Sequence, residues 1–294
     1  MLPRALRLRL ACIAATAGLV ALGRDSPAFV WATYSFGFTH YLLAMRYSTS
    51  QLRRVAAVPT QLLSLLGLVL VGVALYQSNF PLLLYFAVHH ALNEAYGRRS
   101  PVGSVVPSPR LTASAALFHG LAFLTVLRWT SELTPLDPLW LWCALGAAGL
   151  LLTWSVREVR GAASAGQLLE LCAPEATSAA LVILSLVVRV TFLEFVLFHF
   201  VLWAALPVER IRARGATALG EYLGLSAAMT GVFVLLSPLG PPATRIGLTA
   251  FGEQFVLWSY LHISLSFALS DAHPVWAIRL FRGATAPVAS GHAA

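Results

Sequence analysis

Two histidines and a glutamate interrupt an otherwise apolar stretch, LYFAVHHALNEAY at residues 84–96. On a helix, His90 and Glu94 are four apart and share a face, whereas His89 points about 100° away. Isolated polar groups recur in the same manner further along: His40 in FTHYLLA, His119 in FHG, Glu194 and His199 in FLEFVLFHF, and His262 in YLHISLS. Neutral imidazole is the commonest metal ligand among side chains. Ionisable groups inside a bilayer are costly and ordinarily face a bundle interior or a cavity. The chemistry open to this set is therefore metal binding by His40, His90, His199 and His262. Glu94 then joins His90 or holds its second ring nitrogen, and Glu194 sits above the ligands as a base or a substrate contact. Several histidines with carboxylates in reach suit non-haem Fe(II), whose open coordination positions are what oxygen activation needs. With no thiolate among them, a Cys-rich structural zinc site is disfavoured. The plainer reading of any one of these residues is an interhelical hydrogen bond, worth about 0.6 kcal/mol on average. That reading fits His119, beside Gly120 and without an acidic neighbour, and it fits His89 as a bond to a neighbouring helix. A slip of one residue along 84–96 would exchange His89 and His90.

What must position these residues is set by composition. Of 294 residues, 58% are hydrophobic and only 11% charged, with a mean hydropathy of +0.76. This excludes an ordinary soluble domain and predicts an all-α, polytopic integral membrane helix bundle. Spans of about 20 residues fall at 6–23, 27–46, 56–76, 80–96, 111–128, 138–156, 167–188, 190–207, 219–238 and 246–270. The pair 167–188 and 190–207 needs a sharp turn near Arg189 to remain two spans. The expected organisation is one transmembrane domain over 1–294, with a flexible tail from 280 to 294.

The net charge of +8 comes from arginine alone, since the chain has no lysine. Its arginines lie in short loops, where orientation signals belong, so nucleic acid is not an expected partner. With both termini cytoplasmic, sixteen arginines fall on the inner side and four on the outer: Arg24, Arg128, Arg189 and Arg245. This predicts a multi-pass protein of the cell (inner) membrane. The first span, basic at its start and apolar after it, also has the pattern of a cleaved signal peptide. Measured against these spans, His40, His90, His119, His199 and His262 all lie roughly 9–12 Å below the cytoplasmic surface at 1.5 Å per residue. Five helices thus bring one histidine each to one layer. His273, just beyond the last span, reads as part of a solvated helix end. Cys12, Cys143 and Cys172 lack CxxC spacing and read as small packing residues.

A metal set at this depth meets substrates delivered by the bilayer, which points to a hydrophobic, lipid-like substrate and O₂ as partners. The order of the histidine motifs resembles the Brp/Blh-type membrane β-carotene dioxygenases, polytopic non-haem iron enzymes that split a carotenoid into retinal. The corresponding residues are His40, His90, His119, His199 and His262. The resemblance implies ligation by His40, His90 and His199, with a fourth ligand from His262 or Glu94. Trp203 stands where the family has the second histidine of HxxxH, and Tyr41 and Leu43 stand where it has Gly and Asp.

Three other functions compete. A glutamate-type intramembrane protease is similar in Asn93, Glu94 and Arg98 as NExxxR and in Phe195 to His199 as FxxxH, and would make Arg98 essential. Bis-histidine haem ligation requires one histidine on each of two facing helices. Proton-coupled transport would use Glu94, Glu194 and Glu253.

Overall fold

The computed structural model of the protein describes residues 4–97, 108–160, 164–245, 248–270 and 273–282. Arg98, Asp271 and the tail beyond residue 282, with His292, lie outside the described residues. Among the described residues every regular element is helical. In chain order these are α1 (Arg4–Gly23), α2 (Pro27–Tyr47), α3 (Thr49–Ala56), α4 (Pro59–Gln77), α5 (Leu82–Gly97), α6 (Pro109–Val126), α7 (Pro138–Arg160), α8 (Ala165–Leu171), α9 (Ala173–Val187), α10 (Phe192–Ala205), α11 (Val208–Arg212), α12 (Ala216–Leu236), α13 (Leu248–Leu269) and α14 (Val275–Arg282). A single 3₁₀ turn spans Ser131–Leu133.

Among the described residues, four helices are long and apolar enough to cross a membrane: α1, α4, α7 over Pro138–Arg157, and α12. The pair α8 and α9, bent by 60°, makes a fifth if it is one span. These long apolar helices suggest a membrane protein. Each of the ten segments expected from hydropathy contains a helix, and the break expected near Arg189 falls at 188–191, between α9 and α10.

The division between the two sets of helices has a physical cause. The four apolar helices expose most of their surface; at most 28% of the spanning window is buried in any of them. Leu70 on α4, Leu139, Trp140 and Leu150 on α7, and Val232 on α12 are exposed. The histidine-bearing helices α2, α5, α6, α10 and α13 are not among these four: α5 and α10 are short, at 16 and 14 residues, and in α2, α6 and α13 polar side chains in mid-helix lower the hydropathy. They pack inside the apolar set: α4 lies on α13, α12 on α2, α7 and α9 on α6, and α1 on α10. At 14 residues, α10 is about 21 Å long, short of the roughly 30 Å hydrocarbon core. Protein surrounds it: Phe195, Phe198, Phe200 and Leu202 are all buried.

Local signals begin the inner helices. Ser26 accepts a hydrogen bond from the backbone N–H of Ala28, with Pro27 as the first helical residue; Ser108 caps α6 through Leu111 N–H, with Pro109 following. Thr191 and Glu194 form a capping box on α10: Thr191 Oγ1 accepts from Glu194 N–H and Glu194 Oε2 accepts from Thr191 N–H at 2.8 Å. Glu194 also pairs with Arg24 at 2.7 Å, tying α10 to the end of α1. Expected as a base or a substrate contact, Glu194 is placed at the start of a helix, and it does not line either of the cavities described below.

Close packing near the histidines turns on Gly37, one helical turn before His40. A Cβ built at Gly37 would lie 2.5 Å from Phe255 Cε2 and 2.7 Å from Phe200 Cε2, and both rings are buried. Gly37→Ala is expected to destabilise the fold by about 1–3 kcal/mol through overpacking, read as a lowered thermal midpoint in detergent. An unchanged midpoint would mean that α2 does not approach α10 and α13 this closely.

Candidate functional site

Four imidazoles from four helices form a closed ring. His40 on α2 lies 5.0 Å from His262 on α13 and 5.6 Å from His199 on α10, measured between ring centroids. His89 on α5 closes the figure, 5.5 Å from His262 and 5.6 Å from His199. His90, expected in this position, is not a member. Its ring is stacked on Phe86, meets Phe195 edge-on, and lies 6.1 Å from His199 on the side away from His40 and His262. The reason is helical phase: α5 turns the 89 position toward α13 and the 90 position toward α6 and α10. His90 in turn neighbours His119 at 6.4 Å, so all six imidazoles form one contiguous set.

His89 also makes the interhelical bond that its sequence context predicts. Ser266 Oγ donates to the carbonyl of Ile263 at 2.7 Å, so its lone pair accepts from His89 Nδ1–H at 3.0 Å. This fixes the tautomer and leaves Nε2 as the basic nitrogen. In the structure Nε2 accepts from Asn93 Nδ2 at 2.9 Å, one turn away on the same helix. Tyr41 stacks on His262 at 4.7 Å and donates to Ser259 Oγ at 2.7 Å, whose own hydrogen goes to Phe255 O. His199 Nδ1 is buried without a hydrogen-bond partner, as is His90 Nδ1 outside the ring. Buried polar atoms are nearly always paired, which makes the His199 nitrogen a candidate for a ligand.

The ring is the shared wall of two cavities. The smaller, about 450 Å³, extends toward the end of the bundle that carries residues 76–82 and Glu132, with Tyr34, Phe86, Phe200 and Phe255 in its lining. The larger, about 850 Å³, extends toward the opposite end, where Arg4, Arg9 and Glu170 lie. All four ring histidines line both cavities, and neither His90 nor His119 lines either.

His119 is a clamp. Its Nε2–H donates to Glu175 Oε1 at 3.2 Å and its Nδ1 meets Ser178 Oγ at 2.8 Å, so both ring nitrogens join α6 to α9. Glu94 does not support His90 through a second ring nitrogen, because its carboxylate is bound by Arg9 of α1 at 2.7 Å. It borders the larger cavity without entering the ring. His273, expected at a solvated helix end, is fully buried; its Nε2–H donates to Ser266 O and its ring stacks on Phe267.

Can the ring hold a metal? For imidazoles sharing one ion at an N–metal bond of about 2.1 Å, ring centroids come about 4.5–5.2 Å apart. The observed 5.0–5.6 Å is slightly wider. Among the described residues no three His, Cys, Asp or Glu side chains already converge as ligands. Two features fit the group nonetheless: the unpartnered Nδ1 of His199 and the tautomer that Ser266 imposes on His89. Closing the ring would require the Asn93 amide to turn aside and free Nε2. His40, His89, His199 and His262 are the residues that fit, with Ser266 and Tyr41 orienting two of them.

Sequence reasoning missed Arg9, Asn93, Glu175 and Ser266, each a partner supplied by another turn or helix. Arg9 looked like one of several topological charges. Ser266 follows His262 by four residues on α13, and that spacing was the available signal. In comparisons with family models, curated proteins and solved structures, nothing matches this chain.

Proposed function

We propose that the protein is a multi-pass membrane enzyme that oxidises a hydrophobic, lipid-like substrate with O₂ at a non-haem Fe(II) ion. The observation that carries this reading is the four-histidine ring set between two cavities. In this reading the inner helices cross the membrane together with the apolar ones, giving ten spans with both termini on the arginine-rich cytoplasmic side of the cell membrane. A carotenoid is one substrate of the right chemistry, in keeping with the order of the histidine motifs.

His40, His89, His199 and His262 would hold the ion. A ferrous centre there supplies the electrons that let O₂ react with an alkene, which the side chains alone do not. The chain's own groups do the rest. The aromatic lining of the smaller cavity, with Phe86, Phe200 and Phe255, binds an apolar chain and keeps water out. The hydroxyl of Ser266 holds the Nδ1 proton of His89 so that Nε2 presents its lone pair. Tyr41 fixes the plane of His262.

The reading is tested by incubating iron-loaded protein with a polyene lipid under ¹⁸O₂. Oxygen uptake with label in an organic product is expected, and no uptake with any polyene offered contradicts it. A narrower test concerns Ser266. Partners that orient ligands typically matter 10–100-fold in metal affinity, so Ser266→Ala is expected to weaken iron binding by about that factor, alongside a modest fall in thermal midpoint from leaving His89 Nδ1–H unpaired. Unaltered affinity would remove Ser266 from the site.

A further inference from the structure

The two cavities differ in chemistry. The smaller one is mostly aromatic, whereas Thr39, Asn93, Tyr222, Ser226 and Trp203 join the charged residues in lining the larger one. The charges there have partners. Arg9 binds Glu94 at 2.7 Å. Glu170 accepts the backbone N–H of Ala5 with both carboxylate oxygens, at 3.1 and 3.2 Å, and Arg4 is also engaged. No spare charge is on offer, which disfavours an ionic ligand. The hydroxyls are used as well: Tyr222 donates to Ala204 O and Thr39 bonds Thr230.

Among the described residues, three of this lining keep a buried polar atom without a hydrogen bond: His199 of the ring, Glu94, whose charge Arg9 meets, and Trp203. The indole Nε1–H of Trp203 is buried and has no hydrogen-bond partner among the described residues. It lies one turn beyond His199 on α10, 6.0 Å from it between ring centroids. An indole nitrogen can only donate, and a buried donor without an acceptor is a cost that folding alone does not explain. A ligand bringing a neutral acceptor oxygen to this wall would relieve it.

Resting on the oxygenase reading for its link to chemistry, we propose that the larger cavity binds the oxygenated end of an isoprenoid alcohol or ketone, with its oxygen accepting from Trp203 Nε1–H. The hydrocarbon chain then runs past the histidine ring into the smaller, aromatic cavity. The oxidised bond lies a few bonds from the oxygenated carbon, because Trp203 and His199 are neighbours on one helix face. A pure hydrocarbon of the same length leaves the indole unmet and binds more weakly.

The test uses the full-length protein in lipid nanodiscs, with farnesol and its hydrocarbon counterpart farnesene as probes and binding of each measured directly. One neutral hydrogen bond at a buried donor corresponds to roughly ten-fold in affinity. Wild type is expected to bind farnesol about ten-fold more tightly than farnesene. Trp203→Phe is expected to abolish that difference by weakening farnesol alone. Labelling tryptophan with ¹⁵N keeps the test open should the variant fail to fold: in the unmodified protein, the Trp203 indole resonance is expected to shift with farnesol and not with farnesene. Equal binding of both probes, binding of neither, or an indole resonance indifferent to farnesol would overturn the proposal. Iron content measured on the same preparations separates the two failures. Farnesol preference without iron would leave the subsite and remove the oxygenase, and iron without farnesol preference would do the reverse.

Discussion

Replacing His199 with alanine is expected to lower iron bound by the purified protein more than ten-fold. No other ring member has as many imidazole neighbours: His199 lies 5.6 Å from both His40 and His89 and 6.1 Å from His90. Among the four ring members, its Nδ1 is a buried nitrogen that no hydrogen bond occupies; the same holds for His90 Nδ1 outside the ring. Removing His199 deletes part of the wall between the two cavities and leaves three imidazoles that no longer enclose a point. Metal analysis after confirming the helical spectrum of the variant checks this. A His199→Ala protein that folds and retains a full complement of iron would place the metal elsewhere.

The second large effect is on stability. Arg9 and Glu94 form an ion pair whose side chains are 10% and 2% exposed, well out of water. Removing one partner of such a pair strands the other charge, at a typical cost of about 3–5 kcal/mol. Glu94→Gln is therefore expected to destabilise the protein by about 3 kcal/mol, somewhat less than a fully enclosed pair because the larger cavity touches both residues. The measurement is an unfolding titration in detergent, with Arg9→Met/Glu94→Leu as the companion. Restoring most of the stability in that double variant, where neither charge remains, is the expected result. Were Glu94→Gln to abolish turnover at unchanged stability, Glu94 would be a catalytic carboxylate and its bond to Arg9 incidental.

How much of this was legible in the sequence follows from what each feature depends on. The helical class and the apolar character of the long helices depend on hydropathy, which is local, and they could be read directly. That histidines on different helices share a layer followed from counting residues along helices of known rise. The identity of the ring member on α5 did not. His89 and His90 differ by 100° in direction, and which of them faces α13 depends on how α5 is rotated in the bundle, a tertiary property. Glu94 and Glu194 illustrate the same limit. Each stood near a histidine on its own helix, whereas its true partner, Arg9 or Arg24, lies on α1 or just past its end. The capping box of Thr191 and Glu194, by contrast, is a local pattern and was readable as T-x-x-E ahead of an apolar run. Likewise, the buried position of His273 depends on α14 folding back on α13 and α4, which no local signal announces.

The central claim is that His89, and not His90, completes a metal-binding ring with His40, His199 and His262. Metal content with a visible spectrum, measured on wild type, His89→Ala and His90→Ala in parallel, tests it most directly. The account predicts about one iron per chain without a Soret band in wild type, loss of that iron in His89→Ala, and its retention in His90→Ala. Iron that survives in His89→Ala and is lost in His90→Ala, or a wild-type protein that takes up no iron at all, would contradict it.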